Sequence, residues 1–469
     1  MPATVFQIVA VVTGTLSVLS DGMHLGWTSQ VGPTLLSPDS PVKTDPSDII
    51  LLETLHLIGE IFGLPVTMYL LDKIGRKRTI LVATVEGLIG WIIIASTTSF
   101  KVLLAARFLA GIAGDVAFMA TPVYVAEISD RKIRGHLEII IFIMQMIGVL
   151  LMYLLGPYVS IPVSSTIGAC ILLLQLLTFS FMPESPYWLL IKNQKEMAEK
   201  SLKIFRSSQN VKEELDEMVH TVQKELGEHE SLLDLFKVKS NLKAAMIMTV
   251  LNAARQFSGF TAISMNLDII LNDVGGNIST YTAIVLCSVM MLIGCLVACV
   301  LVDRIGRKIL LCVSTALTAV SFFTLGIYFT IKNNDRNIFW FNLIPPFAVL
   351  LGTLAFQSGL GSAPNVLTAE LFPTNVKALG VAYAHAVFIF STIISIIVFQ
   401  LLQIFGLQAS YFLCSCCCAL TCIFVLLVVP ETKGITLGEI QYLLKENEER
   451  AQIQILNDAL QENIMITPT

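Results

Sequence analysis

Charge is what this sequence has least of. Only 14% of its 469 residues are Asp, Glu, Lys or Arg, while 55% are hydrophobic. Soluble domains carry about 25% charged residues, so this shortage, with a mean hydropathy of +0.75, excludes a chain built from soluble domains alone. A disulfide framework is excluded too, because all ten cysteines fall inside apolar runs. Five of them cluster from Cys414 to Cys422. They read as apolar filling, with packing and palmitoylation the other readings open. The first apolar run has neither a basic n-region nor a small-residue cleavage site, so it reads as a retained helix, not a signal peptide. No phosphate-binding Gly-Lys-Ser/Thr loop, His-Glu-x-x-His motif, nucleophile elbow or metal-ligand cluster is legible. Catalysis, a cofactor, a metal and a nucleic-acid partner are therefore not expected.

What the sequence does have is long uncharged runs, each near the roughly 20 residues that cross a bilayer. In lipid the backbone must satisfy its own hydrogen bonds, so these runs are helices. Twelve are expected, near 6–27, 50–71, 80–99, 102–126, 137–157, 163–182, 244–271, 281–302, 309–331, 340–371, 378–403 and 406–429. The first is expected to run on toward Leu36. With both termini cytoplasmic, inner loops and tail hold 24 of the 30 Lys and Arg, and outer loops only Lys43, Lys101, Lys332 and Arg336. That asymmetry sets the orientation and puts the sequon at Asn277 outside. One soluble insert, 183–243, carries amphipathic helical spacing over Glu196–Phe205 and Val211–Leu226. The tail beyond Lys445 is polar and acidic.

The basic turn Asp72-Lys73-Ile74-Gly75-Arg76-Lys77-Arg78 returns as Asp303-Arg304-Ile305-Gly306-Arg307-Lys308-Ile309, about half a chain later. Two further pairs follow at similar spacing. Glu127 with Arg131–Arg134 matches Glu370 with Lys377, and Pro183-Glu184-Ser185-Pro186 matches Pro430-Glu431-Thr432-Lys433. Three matched joints indicate two repeats of one helical bundle, as in many secondary transporters. Acids and bases at helix ends on one face predict a lock of ion pairs linking the two bundles.

These residues resemble a sugar porter of the major facilitator superfamily. The resemblance is carried by Asp72–Arg78, Arg107 with Pro122–Glu127, Arg134-Gly135, Pro183–Pro186, Gln256–Gly259, Asp303–Lys308, Glu370 with Pro373 and Lys377, and Pro430–Gly434. Tyr187 and Gly26-Trp27-Thr28-Ser29 resemble the insect facilitated trehalose transporter-like branch. The resemblance implies twelve transmembrane helices in two six-helix bundles, residues 1–182 and 244–429, joined by a cytoplasmic linker at 183–243 and followed by a tail at 430–469. It places gating ion pairs on Asp72, Arg76, Arg107, Glu127, Arg134, Asp303, Arg307, Glu370 and Lys377. Sugar-binding groups fall at Gln256, Thr261, Gln357 with Phe356, and Asn365, with Gln145 substituting one turn from Phe142. Several of these depart from the family's residues: Arg255 stands for a glutamine and Asn365 for a tryptophan.

Taken by themselves, the amides and aromatic rings suit a sugar, which needs bidentate hydrogen bonds and an apolar face to stack on. For Gln145 and Asn365, interhelical bonding serves equally well. Gly359 and Gly361 before Pro364 predict a break in the tenth span. Asp21, Glu60, Glu86, Asp115 and Arg255 are charges inside spans with no assigned role. Asp115 is placed to pair with Arg107 on its own helix. His24 occupies the place of the coupling aspartate of proton-driven porters, with Asp21 one turn earlier. The expected function is facilitative movement of a hexose or a disaccharide such as trehalose, by a monomer in the plasma membrane. The alternatives are a proton-coupled sugar or polyol symporter, or a nutrient sensor on the same scaffold.

Overall fold

The computed structural model describes residues 3–444 apart from 39, 41, 43, 131–132, 157, 228–233, 260–279, 333–343, 374–375 and 436. Within them every regular element is helical. The first half contains α1 (Ala3–Gly14), α2 (Leu16–Leu35), α3 (Pro46–Ile74), α4 (Arg76–Ser96), α5 (Phe100–Ile128), α6 (Arg134–Leu155) and α7 (Ile161–Phe179). Four short helices follow: α8 (Pro186–Ile191), α9 (Lys195–Arg206), α10 (Lys212–Gly227) and α11 (Asp234–Lys237). The second half holds α12 (Lys239–Phe257), α13 (Thr280–Ile305), α14 (Arg307–Lys332), α15 (Ile344–Ser358), α16 (Ala363–Leu371), α17 (Lys377–Leu402), α18 (Leu407–Val428) and α19 (Leu437–Leu444).

Eleven spans among the described residues are long and apolar enough to cross a membrane. The twelfth expected span begins in α12, and its continuation, with Phe260 and Thr261, lies outside the described residues, as do Asn277 and the tail beyond Leu444. Helices α1 and α2 form one crossing interrupted at Thr15, and α2 does run on to Leu35. The break expected in the tenth span is present between α15 and α16. There the carbonyl of Phe356 accepts the Gly361 N–H at 2.8 Å, and Ser314 Oγ accepts that of Leu360 at 2.9 Å. Irregular backbone in a crossing is thus satisfied by protein groups, as lipid requires.

Helix outer faces are apolar, with Leu177, Val320, Ile394 and Leu427 exposed, as befits surfaces that meet hydrocarbon. Inside each half, small residues let helices touch. A Cβ on Gly111 would lie 2.0 Å from the carbonyl oxygen of His56, so α5 reaches α3 only because that position is glycine. The halves meet along two seams, α6 against α13 and α3 against α17. The insert forms the two expected amphipathic helices. Helix α9 turns Ala198, Leu202 and Phe205 inward, and Phe205 joins Phe6 and Tyr124 in the first half's core.

Candidate functional site

At the ends of α3 and α13 the repeated basic turns build the same cradle twice. Gly75 and Gly306 take φ of 101° and 93°, a left-handed turn that suits glycine. The chain thereby turns from α3 into α4, and again from α13 into α14, and Arg76 and Arg307 become the first residues of their helices. Arg76 forks onto Glu127 at 2.9–3.0 Å and donates to the carbonyl of Leu71 at 3.1 Å. Arg307 forks onto Glu370 at 2.8 and 3.3 Å and donates to the carbonyl of Val302 at 3.1 Å. Glu184 accepts the Lys77 N–H at 2.9 Å, while Glu431 accepts the N–H groups of Arg307 and Lys308 at 2.9 and 3.1 Å. Each carboxylate sits on a helix N-terminus, where free N–H groups and the macrodipole favour an anion. Ser185 donates to Glu127, as Thr432 does to Glu370.

This geometry corrects the expected lock. Both arginine–glutamate pairs lie within one half, so among the described residues they tie helices of the same bundle and do not link the two. Asp72 is exposed and contributes its carbonyl to Trp188 Nε1. The side chains of Arg134, Asp303 and Lys377 are outside what the structure describes.

Polar contact across the halves occurs elsewhere. His385 Nε2 on α17 lies 3.1 Å from Asp115 Oδ1 on α5, and Thr67 donates to the other carboxylate oxygen at 3.0 Å. The His385 ring stacks on Phe118, with centroids 5.5 Å apart. Toward the end far from the basic turns, Tyr281 donates to the carbonyl of Leu154 at 3.4 Å. Asp115 therefore pairs with the other half and not with Arg107 on its own helix. Sequence reasoning missed His385. A histidine in a run otherwise free of Asp, Glu, Lys and Arg was the available signal.

Arg107 is wholly buried. It reaches His24 Nδ1 and the His24 carbonyl at 3.4 and 3.2 Å, Thr28 at 3.0 Å, and Glu53 at 3.7 Å. His24 stacks face to face on Trp91 at 3.8 Å. The expected pairing of His24 with Asp21 is not formed. Asp21 instead accepts a hydrogen bond from Gln145 Nε2 at 3.1 Å.

The amides expected to bind a sugar are split. Gln145 is engaged with Asp21 in the first half. In the second, Arg255 lies over the Phe388 ring at 4.8 Å and donates to Asn365 Oδ1 at 3.4 Å. Its partners are an amide and a ring, with no carboxylate among the described residues. Gln256 and Gln357 are buried, and neither amide is hydrogen-bonded among the described residues. Phe356 belongs to the second half's own core with Leu311 and Leu360.

The family described as "Sugar (and other) transporter" matches residues 9–444. The "Facilitated trehalose transporter Tret1" of Apis mellifera ligustica is 29% identical over 389 residues, covering 82% of this chain and 76% of that protein. The Bombyx mori protein of that name is 27% identical over 453 residues, covering 95% and 88%. Among solved structures, the major facilitator superfamily proton:xylose symporter XylE bound to 6-bromo-6-deoxy-D-glucose superposes with a TM-score of 0.75. It is 22% identical, covering 94% of this chain and 99% of that one.

Proposed function

The chain belongs to the sugar (and other) transporter family, and on that premise we propose that it carries a hexose or a disaccharide such as trehalose by alternating access, down the solute's gradient. The observation that carries this reading is the doubled cradle. Arg76, Glu127 and Glu184 in one half, and Arg307, Glu370 and Glu431 in the other, brace each bundle as a separate body. Two internally braced halves that touch along narrow seams can rock against each other, which is the motion alternating access needs. The unengaged amides of Gln256 and Gln357 supply directional groups for hydroxyls. The relatives named for trehalose transport support the substrate class.

In this reading residues 1–182 and 244–429 are the moving halves, and 183–243 with 430–469 lie on the cytoplasmic face, as do both termini. The working unit is one chain in the plasma membrane. Thr261, Asn365 and Gln145 complete the sugar-binding set, and Arg134, Asp303 and Lys377 join the gating set. Downhill carriage is preferred to proton symport because the His24 ring is stacked on Trp91 beside Arg107 and has no carboxylate partner among the described residues. The test is flux of labelled trehalose and hexoses into vesicles reconstituted with the full chain. Saturable uptake that stops at equal concentrations is expected. Absence of flux for every sugar, from protein that still binds one, would assign the scaffold to sensing.

A further inference from the structure

We propose that the first half holds one divalent first-row transition-metal ion between Asp21, His56 and Glu60. Asp21 comes from α2, while His56 and Glu60 stand one turn apart on the same face of α3. One ligand atom from each lies within 4.8 Å of the other two. All three residues are buried, at 6%, 0% and 8% exposure.

The charges around this cluster leave a remainder. Arg107 from α5 reaches Glu53 at 3.7 Å, and Asp115 from α5 meets His385 from α17 at 3.1 Å. His24 from α2 faces Arg107 and Trp91. Asp21 and Glu60 remain, and among the described residues no Lys or Arg lies within ion-pair distance of either. Two carboxylates buried in a membrane-spanning bundle are costly unless a counter-charge joins them. One divalent ion balances two.

The donors are also turned the right way. His56 Nδ1 faces the carbonyl oxygen of Arg107 at 3.4 Å, so that nitrogen carries the proton. The lone pair of Nε2 then points toward Glu60 Oε1 at 3.5 Å. A lone pair directed at a carboxylate oxygen is repelled unless a proton or a metal cation lies between them. Gln145 holds Asp21 Oδ2, which leaves Oδ1 buried without a hydrogen-bond partner. An imidazole bonded to a carbonyl through its far nitrogen, beside a carboxylate oriented by an amide, is the outer-shell arrangement that metal sites use. One imidazole and two carboxylates suit zinc or manganese better than calcium, which prefers oxygen alone. A cavity of about 10 Å³ lined by Ser17, Ser20, Asp21 and His24 lies beside Asp21, with room for roughly one water. All three protein ligands belong to one half, so the ion is resident and is not cargo.

The full chain, purified in detergent and stripped with EDTA, is titrated with Zn²⁺ and separately with Mn²⁺. Bound ion is counted after gel filtration, and thermal unfolding is followed. About one ion per chain and a raised melting temperature are expected for one of the two metals. His56→Gln and Glu60→Gln should each lower affinity by at least about tenfold, while His220→Gln on the exposed face of α10 should not. Retention of no ion means that protons balance the two carboxylates, and the proposal falls. It falls equally if both site variants bind as the unaltered chain does. Cobalt(II) substitution of the unaltered chain covers the case in which the variants do not fold. A visible ligand-field band that zinc displaces is expected, and its absence overturns the site. Transport enters none of these readouts, so the proposed carrier function stands or falls separately.

Discussion

Gln256 is buried on α12, and no hydrogen bond from its amide is formed among the described residues, which leaves the amide for a ligand hydroxyl. Gln256→Ala should therefore leave folding intact and weaken sugar binding by about 1–3 kcal/mol, the worth of a buried hydrogen bond. Equilibrium binding on protein that elutes as a single species checks this, and unchanged affinity moves the sugar elsewhere. Its neighbour Arg255 shows what a single residue can conceal. In the sequence it is an expensive intramembrane cation in need of an acid. In the fold a ring and an amide receive it, and no acid is needed among the described residues. The residue type was legible. Its partner was not, because α12, α16 and α17 had first to be packed together.

At the scale of elements, the joint between α13 and α14 combines three constraints in five residues: a left-handed glycine, a bidentate arginine and a carboxylate on a helix N-terminus. Gly306→Ala would place a methyl group 2.5 Å from Glu431 Oε2 at a φ of 93°. A destabilisation of about 1–3 kcal/mol is expected, read as a lower melting temperature in detergent. Arg76→Ala and Arg307→Ala each strand a half-buried glutamate, so turnover should fall much more than sugar affinity does. Wild-type rates in both variants at normal surface level would show that the cradles do not govern the motion. These elements were the most readable part of the chain. Span lengths, the amphipathic insert and the break before Pro364 all follow from local pattern, because each depends on residues a few positions apart. The direction of the ion pairs did not follow. Matching acids and bases in two halves are equally compatible with pairing across and pairing within, and only the packing of α4 on α5, and of α14 on α16, chose the second.

For the whole molecule, the described polar contacts between halves are the Asp115–His385 pair, held by Thr67, and the Tyr281 contact near the opposite end. Asp115→Asn should shift the balance between open states by on the order of 1–3 kcal/mol. That shift is read by state-selective labelling of single cysteines together with turnover, and equal labelling would remove the pair from any gating role. The placement of His24 between Trp91 and Arg107 leads to a second outcome at this scale. An imposed proton gradient should change the rate of sugar uptake at most, without accumulation above equilibrium. Accumulation that disappears in His24→Ala would overturn downhill carriage.

By itself the sequence determined that the chain is a helical membrane protein, that its halves repeat, and that its tenth span breaks before Pro364. Those properties depend on how long an apolar run is and on glycine and proline at particular positions, which a one-dimensional pattern carries in full. Tertiary structure alone decided which buried charges meet. Asp21 turned to Gln145 and not to His24, Asp115 to His385 and not to Arg107, and His56 came to lie beside Glu60 and Asp21. Those choices depend on the rotation of each helix about its axis and on how closely glycines such as Gly111 let two backbones approach. A rotation of one residue moves a side chain by about 100°, enough to exchange one partner for another while leaving the hydrophobic pattern unchanged.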